Sequence, residues 1–514
     1  MADILLIYPQ QLPIKLKRDL RPPLNLLYLS AVLLQKKYKV EILDLSIIDD
    51  NWQEKIKKII TKEKPLFVGI TSLTNYMIRS GLDVAEYIKN NFNIPIVWGG
   101  IHARLEPETT IQNPLIDVVA YDEGEVIIEE LANYFSSKSK KIEDIKGIYY
   151  KQNNKIIKNP LSNEHYNLDN LPFIPFDLIN INNYANKDYL FFGFKSDISF
   201  SLETSRGCKF RCGYCVETVI KNKWRGMSAE RVIEHIEHIN KKYNVKALVF
   251  VDDNFFVDEQ RSEIILKKII EKKFEMEYYA PIRSDLICKR GLAFLKLMEQ
   301  AGFKSAGLGV ESGSNRVLKY LKKGEKIENT FEANKLLSKI NILAQMNFIT
   351  CFPTETIEDT MQSFLAIFKL YKENKNARCC IGKLIPTPNS PVYFDCLKNG
   401  LKKPEKMEDW VDLMDYNFLR NTEWLTEPYQ SWIKNNWYIV DLIFRINWLR
   451  GELAIRKKNI IFSKIKYFVF YNILLFCDFI LKLRFRLKFY GLNFERHFII
   501  FFINFFNFIF SLKK

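Results

Sequence analysis

The sequence predicts an α/β protein in three parts: an N-terminal doubly wound parallel-sheet domain, a second series of strand–helix units, and a helical C-terminal region ending in a basic, aromatic tail. Three observations lead there. Short apolar runs alternate with helix-period stretches twice over, first in residues 1–135 and again in residues 198–400. The length, 514 residues, has room for two or three domains. Composition changes near the end: from Gly451 onward there are twelve Lys/Arg against three Asp/Glu, so this segment carries +9 of the chain's +16, together with eighteen Phe/Tyr.

In the first part, Ile4–Tyr8 reads as a strand stopped by Pro9, and Pro22-Pro23 opens a helix through Gln35. Val40–Leu43, Leu66–Thr71, Ile94–Trp98 and Val118–Ala120 read as further strands, with helices from about Tyr76 to Asn90 and from Glu125. Strands alternating with helices imply a parallel sheet covered on both faces. Such sheets bind ligands beyond the carboxyl ends of their strands. The candidate binding residues there are Thr71, Ser72 and Thr74; Gly99 and Gly100; Glu123 and Gly124. No Gly-x-Gly-x-x-Gly follows the first strand, so this Rossmann-like pattern carries no dinucleotide fingerprint. Residues 136–197 read as a connection with a hairpin around Gly147–Ile157. Its aromatics, as in Leu171-Pro-Phe-Ile-Pro-Phe176, predict order and packing on both neighbours rather than a free linker.

From Ile198 the alternation resumes. Strands are expected at Ile198–Leu202, Ala247–Val251, Glu275–Ala280, Ser305–Gly309, Ile342–Phe348 and Cys380–Leu384, with helices between them such as Ala229–Lys242 and Glu328–Ile340. In βα barrels the working residues sit at the carboxyl ends of the strands. The first strand is followed by Cys208-Lys-Phe-Arg-Cys212-Gly-Tyr-Cys215. Three thiolates can hold a cubane iron–sulfur cluster and leave one iron open to a ligand, whereas four would close it. The other reading, a zinc knuckle, wants a fourth Cys or His close by. The nearest downstream candidates, His235 and His238, fall on a helix and read as surface or packing residues. Other strand ends carry Asp252 and Asp253, which also suit a polar turn, then Arg283 and Ser284, Glu311 and Ser312, and the segment Cys351-Phe-Pro353-Thr-Glu-Thr356.

Glu203-Thr-Ser-Arg-Gly-Cys208, the three cysteines and Tyr214 resemble the signature loop of the radical S-adenosylmethionine (SAM) superfamily. Pro22-Pro-Leu-Asn-Leu-Leu-Tyr-Leu29, Val97-Trp-Gly-Gly-Ile-His-Ala103 and Tyr121-Asp-Glu-Gly-Glu125 resemble the cobalamin-binding domain that precedes many radical SAM domains. The resemblance covers about residues 1–400. It implies a cobalamin-binding domain in residues 1–135, an open, partial (β/α)6 barrel in residues 198–400 and a helical region in 401–514. It further implies a [4Fe–4S] cluster on Cys208, Cys212 and Cys215, SAM on the open iron, and reductive cleavage of SAM to a 5′-deoxyadenosyl radical that attacks an unactivated carbon. Asp252 and Asp253 would accept from the SAM ammonium. Glu311 and Ser312 would meet its ribose and methionine ends, and Pro353 marks a segment resembling Gly-x-Pro-x-Glu-Thr, with Cys351 or Phe352 replacing the usual glycine. Arg283 either pairs with the SAM carboxylate or braces the barrel.

The Asp-x-His-x-x-Gly loop of many cobalamin proteins is absent, and His102 is not expected to be a cobalt ligand. Methyl transfer is the leading reaction. Cyclisation or rearrangement with the same cofactors is the rival within enzymes, and a non-catalytic sensor the rival outside them. No Cys precedes Cys208, which argues against the methylthiotransferase branch; Cys288, Cys351, Cys379, Cys380, Cys396 and Cys477 contain no Cys-x-x-Cys pair.

The expected partners are a small-molecule or lipid-like substrate and a reducing donor such as flavodoxin or ferredoxin. Met1–Pro9 lacks a secretory pattern, and a reducing cytosol suits an oxygen-sensitive cluster. In the tail, Ile460–Phe489 and Phe498–Leu512 are apolar and aromatic with interspersed Lys and Arg, which suggests lying at a membrane surface; the alternative is packing on the barrel. Nucleic-acid binding is not expected, because Phe and Ile outnumber the polar contacts it needs.

Overall fold

The computed structural model describes residues 2–12, 21–48, 51–136, 140–162, 165–184, 192–196, 198–413, 422–455 and 460–487. Two sheets organise them. The first contains β1 (Ile4–Tyr8), β2 (Val40–Asp44), β3 (Phe67–Thr71), β4 (Ile96–Gly99), β5 (Val118–Ala120), β6 (Ile148–Gln152) and β7 (Lys155–Lys158), in the order β2-β1-β3-β4-β5-β6-β7. Strands β1 to β5 run parallel, and the hairpin β6–β7 adds antiparallel to β5. The hairpin of the connecting segment is thus part of the first sheet. Ile4, Leu5, Leu6 and Ile7 are all buried, as a strand covered on both faces requires. β4 starts two residues later than the apolar run suggests, because Pro95 has no N–H to give the ladder. The strand order reverses between β1 and β3, the switch point where open α/β sheets leave a crevice.

The second sheet is all parallel: β8 (Phe200–Leu202), β11 (Ala247–Phe250), β12 (Glu277–Pro281), β13 (Phe303–Glu311), β14 (Leu343–Thr350) and β15 (Ala377–Lys383), with β8 and β15 as its two edges. Six strands in sequence order with both edges unjoined make an open barrel. The short antiparallel pair β9 (Ser205–Arg206) and β10 (Arg225–Gly226) stands apart from it. Along β13 the chain alternates between Ser305, Gly307 and Gly309 on one side and Ala306 and Leu308 on the other, the two-residue period of a strand, until a bulge between Gly309 and Glu311 interrupts it. The helices between strands carry the local signals that start and stop them. Helix Ala229–Tyr243 begins at Ser228, whose hydroxyl accepts from the Arg231 N–H at 3.2 Å, and ends on left-handed Asn244. Helix Ile357–Glu373 opens with a reciprocal Thr356–Asp359 box.

The C-terminal region packs back on the barrel. Helix Tyr438–Ile455 lies along edge strand β15, where the Asn447 amide accepts from the Cys379 N–H at 3.1 Å and donates to the Cys379 carbonyl. A side-chain amide thus takes the place of a neighbouring strand at the open edge. Helix Ile460–Leu487 is tied to helix Ile357–Glu373 by Lys372 on buried Asp478. Its opposite side exposes Phe468, Phe479, Leu483 and Leu487. No helix among the described residues is long and apolar enough to cross a membrane. The second apolar run of the tail, Phe498–Leu512, lies outside the described residues.

Candidate functional site

The carboxyl ends of the two sheets face each other. Contacts between the domains come from the helices that follow the strands of the first sheet and from loops of the second domain: the Tyr28 hydroxyl donates to the Glu203 carbonyl (3.0 Å), Arg104 to Asn222 (3.1 Å), Asn389 to the Leu105 carbonyl (2.8 Å), and Arg206 to Glu125 (2.6 and 3.1 Å). Any ligand beyond the strands of one sheet is therefore also beyond the strands of the other.

The cysteine loop spans from β9 to β10. Arg206 and Arg225 are ladder partners at its root, and Gly207 turns at φ +82°, where a Cβ would come within 2.8 Å of the Lys223 carbonyl. The Gly213 N–H donates to the Leu321 carbonyl at 2.8 Å, and the Arg283 guanidinium lies 3.6 Å over the Phe210 ring. The loop is thus held at its root, crown and flank. Burial pushes all three thiols up, Cys215 to about 12. Thiolate formation there needs a metal to drive it. Among the described residues no three or more His, Cys, Asp or Glu side chains are arranged to hold a single metal ion. Cys208, Cys212 and Cys215 on one loop are the donor set of a cubane with one iron left open, so the residues present fit the cluster.

Around the loop the barrel ends present charge. The Glu311 backbone is left-handed (φ +67°), and its carboxylate pairs with the buried Lys323 ammonium at 3.0 Å. Gly309 makes room for that pair, since a Cβ there would lie 3.1 Å from Lys323 Nζ. Burial opposes the Lys323 charge, but Glu311 and Glu325 outweigh it and hold its pKa above the ordinary lysine range. Tyr214 is pushed far up by burial and by Glu311 beside it. The Asp253 carboxyl accepts from the Gly207 N–H (3.1 Å) and is pushed up to about 7, by burial first and then by Glu217 and Glu203.

The other residues singled out by sequence fall into place unequally. Asp252 is buried and turned inward, accepting from Thr204 N (2.8 Å) and Oγ1 (2.6 Å) and from the Ser205 hydroxyl. Ser312 is also withdrawn from the mouth: its hydroxyl meets Ser363 Oγ at 3.3 Å and accepts from Ser314 N at 3.1 Å. Arg283 is used as a brace, bidentate on Asp285 (2.9 and 3.1 Å) and donating to the Lys323 carbonyl at 3.2 Å. Pro353 lies in the turn after β14, where Glu355 accepts from Phe352 N at 3.1 Å. His235 and His238 pack on Phe173. Lys323 and Glu325 escaped the sequence reading. The signal was Lys323-Gly324-Glu325 with its glycine at φ +73°, a turn that brings both side chains back to the strand ends.

In the first domain the polar candidates are spent on bracing. Thr71 Oγ1 accepts from Asn25 (2.8 Å), Ser72 Oγ from Trp98 Nε1 (2.8 Å), and Thr74 Oγ1 meets His102 Nδ1 (3.2 Å). His102 is fully buried and held neutral, its pKa lowered to about 3 by desolvation. Glu123 pairs with Arg225 and Arg206, and Gly124 is small because Leu29 packs on it, a Cβ there meeting Leu29 Cδ2 at 2.8 Å. Gly99 and Gly100 remain. A Cβ on Gly99 would find nothing within 4 Å, and its backbone is not left-handed, so neither packing nor conformation explains the glycine. A strand-end glycine of this kind marks close approach by a ligand. On the segments that follow β3, β4 and β5, Leu73 (41% exposed), Ile101 (38%) at the start of helix Ile101–Leu105 and Val126 (46%) in helix Gly124–Phe135 present apolar side chains. An open glycine at the strand end, with exposed aliphatics on the segments that follow β3, β4 and β5, fits a large, flat macrocycle such as cobalamin.

Both domains match known families. Residues 18–132 match the model of the B12 binding domain, and residues 202–367 that of the Radical SAM superfamily. The chain is 33% identical over 341 residues to an uncharacterised methyltransferase of Pyrococcus horikoshii, covering 66% of this chain and 71% of that one. It is 24% identical over 354 residues to the anaerobic magnesium-protoporphyrin IX monomethyl ester cyclase of a Synechocystis species, 68% of each. The solved structure of the cobalamin-dependent SAM radical enzyme OxsB with aqua-cobalamin bound superposes with a TM-score of 0.71 at 18% identity, over 97% of this chain and 75% of that one. The chain belongs to the radical SAM superfamily, among the members with an N-terminal cobalamin-binding domain, and is an enzyme whose cofactors are a [4Fe–4S] cluster, SAM and cobalamin.

Proposed function

We propose that this enzyme is a methyltransferase acting at an unactivated carbon. The observation that carries the reading is that the two strand-end faces, one offering the open Gly99 and the other the cysteine loop, are joined by direct contacts. When bound, the cluster supplies the electron that cleaves SAM, and cobalamin supplies a carrier for the methyl group.

The chain's own residues do the rest. Cys208, Cys212 and Cys215 hold the cluster, with Arg283 and Phe210 stiffening their loop. Asp253, Glu311 and Lys323 form the charged rim, suited to the ammonium, carboxylate and ribose of SAM. Leu73, Ile101, Val126 and Gly99 hold the macrocycle and exclude water. Residues 1–135 thus serve cobalamin, and residues 198–400 serve the cluster and SAM.

The test is anaerobic reconstitution with iron, sulfide, cobalamin, methyl-labelled SAM and a low-potential reductant such as dithionite, followed by mass spectrometry of small-molecule and lipid extracts. Formation of 5′-deoxyadenosine together with a product carrying one labelled carbon is expected, and Cys212→Ala loses both. Cleavage of SAM without a labelled product would favour the second reading, cyclisation or rearrangement, which the 24%-identical cyclase supports. A protein that binds cluster and cobalamin and never cleaves SAM would overturn both.

The reductant is a small flavin or iron–sulfur protein such as flavodoxin or ferredoxin. An oxygen-sensitive cluster on Cys208, Cys212 and Cys215 suits a reducing, cytoplasmic location. The exposed Phe468, Phe479, Leu483 and Leu487, flanked by Lys482 and Arg486, suit peripheral contact with a membrane and a lipid-like substrate.

A further inference from the structure

The root of the cysteine loop sets two like charges side by side. Arg206 and Arg225 are direct partners in the two-residue ladder β9–β10, and like charges placed opposite each other repel. The carboxylates that reconcile them come chiefly from the other domain. Glu123 receives both guanidinium groups, and Glu125, only 5% exposed, takes Arg206 in a two-pronged grip at 2.6 and 3.1 Å. On its own side Arg206 has Glu203 at 2.7 Å. Glu123 and Glu125 flank the start of helix Gly124–Phe135, directly before exposed Val126 on the ligand face of the first domain. Arg206 stands two residues before Cys208, and the constrained turn at Gly207 ties the two together.

We propose that Arg206 is a positioning residue that couples the two cofactor sites, so that assembly of the cluster on the cysteine loop tightens cobalamin binding by the neighbouring domain. The inference rests on the proposed function, since it takes both cofactors as bound by these two faces. The physical path is short. A cluster would add ties between the three thiols to those the loop already makes at its root, crown and flank, the stiffer loop would hold the Arg206 fork, and the fork would hold Glu125 and with it the helix start beside the macrocycle. By reciprocity cobalamin must favour cluster retention by the same factor.

The experiment is an anaerobic cobalamin titration, followed by visible absorbance, on the full chain with and without a reconstituted cluster. In the unmodified protein the cluster is expected to lower the cobalamin Kd by about tenfold, within the usual range for coupled sites. Arg206→Lys keeps the charge but loses the planar fork, and Glu125→Gln keeps the shape but loses the charge. In both, the ratio of the two Kd values should fall to about one. Asn389→Ala removes a contact between the domains that lies outside the cysteine loop, and it should keep the full ratio.

A ratio of one in the unmodified chain, an unchanged ratio in the two variants, or an equal loss in Asn389→Ala would overturn the coupling. So would failure of both variants to hold four irons, which would make Arg206 a folding residue of the loop. A protein that binds neither cofactor fails the functional reading itself, whereas one that binds both independently fails only this inference.

Discussion

Gly99 and Gly100 are adjacent glycines with opposite reasons to exist, and exchanging each separates ligand space from backbone need. Gly100 sits at φ +93°, and a Cβ there would stand 2.6 Å from the Ser72 carbonyl oxygen, 2.6 Å from Thr71 Oγ1 and 2.8 Å from Ser72 N. Gly100→Ala therefore meets backbone strain of ~1–3 kcal/mol together with contacts that only a shift of β3's end can relieve. A total near ~3 kcal/mol corresponds to a drop in melting temperature of about 6–12 °C for a domain of this size. Gly99→Val meets no atom within 4 Å of its Cβ and needs no left-handed backbone. Its melting temperature should stay within about 2 °C of the parent, as for a change of ~0.5 kcal/mol, while its branched side chain fills the floor on which the macrocycle is proposed to rest. Its cobalamin affinity should fall by about tenfold or more, ~1.4 kcal/mol. Thermal unfolding followed by circular dichroism and a cobalamin titration by absorbance read the two effects separately. Parental cobalamin affinity in folded Gly99→Val, or an unshifted melting temperature in Gly100→Ala, would refute the reasoning.

Other consequences concern buried charge and the sheet edge. Glu355 is buried after β14 and its pKa is pushed from 4.5 to about 7, so the folded state resists ionising it. Its contribution to stability is intact below about pH 4.5 and is lost as pH rises toward 7, by ~3 kcal/mol in all. Glu355→Gln should flatten the stability–pH curve across that window, and parallel curves for parent and variant would contradict the assignment. Lys323→Met leaves Glu311 as an unpaired buried carboxylate and should cost ~3–5 kcal/mol. Adding Glu311→Gln should recover part of it, and strictly additive effects in denaturant unfolding would disprove the pairing. Asn447→Leu removes the amide that completes the edge of β15. It should cost ~1–3 kcal/mol and speed hydrogen exchange at the Cys379 amide, so unchanged exchange would show that another group protects that edge.

The two α/β units, their strand order along the chain and the three cysteines were legible in the sequence because they rest on local periodicity and spacing. Apolar runs predicted the five parallel strands of the first sheet and the six barrel strands, with ends displaced by a few residues where proline or a β-bulge intervened, as at Pro95 before β4 and between Gly309 and Glu311 in β13. Roles were less legible than positions. Asp252, Ser312, Thr71, Ser72 and Thr74 all lie at strand ends, yet their side chains are turned into the protein by partners far along the chain. Nothing in a linear pattern distinguishes a hydroxyl that faces a ligand from one that braces a neighbouring loop.

What the amino-acid order determined by itself is the chemistry available: three thiols on a loop after a strand, glycines and carboxylates at strand ends, and a basic, aromatic tail. What only the tertiary structure decided is which of these meet. Glu125 and Arg206 are separated by 81 residues and Glu311 and Lys323 by a helix, but each pair shares a buried ion bridge. The reason is physical. Local structure follows from each residue's neighbours in sequence, whereas the cost of burying a charge is offset only by an opposite charge that packing brings from elsewhere in the chain.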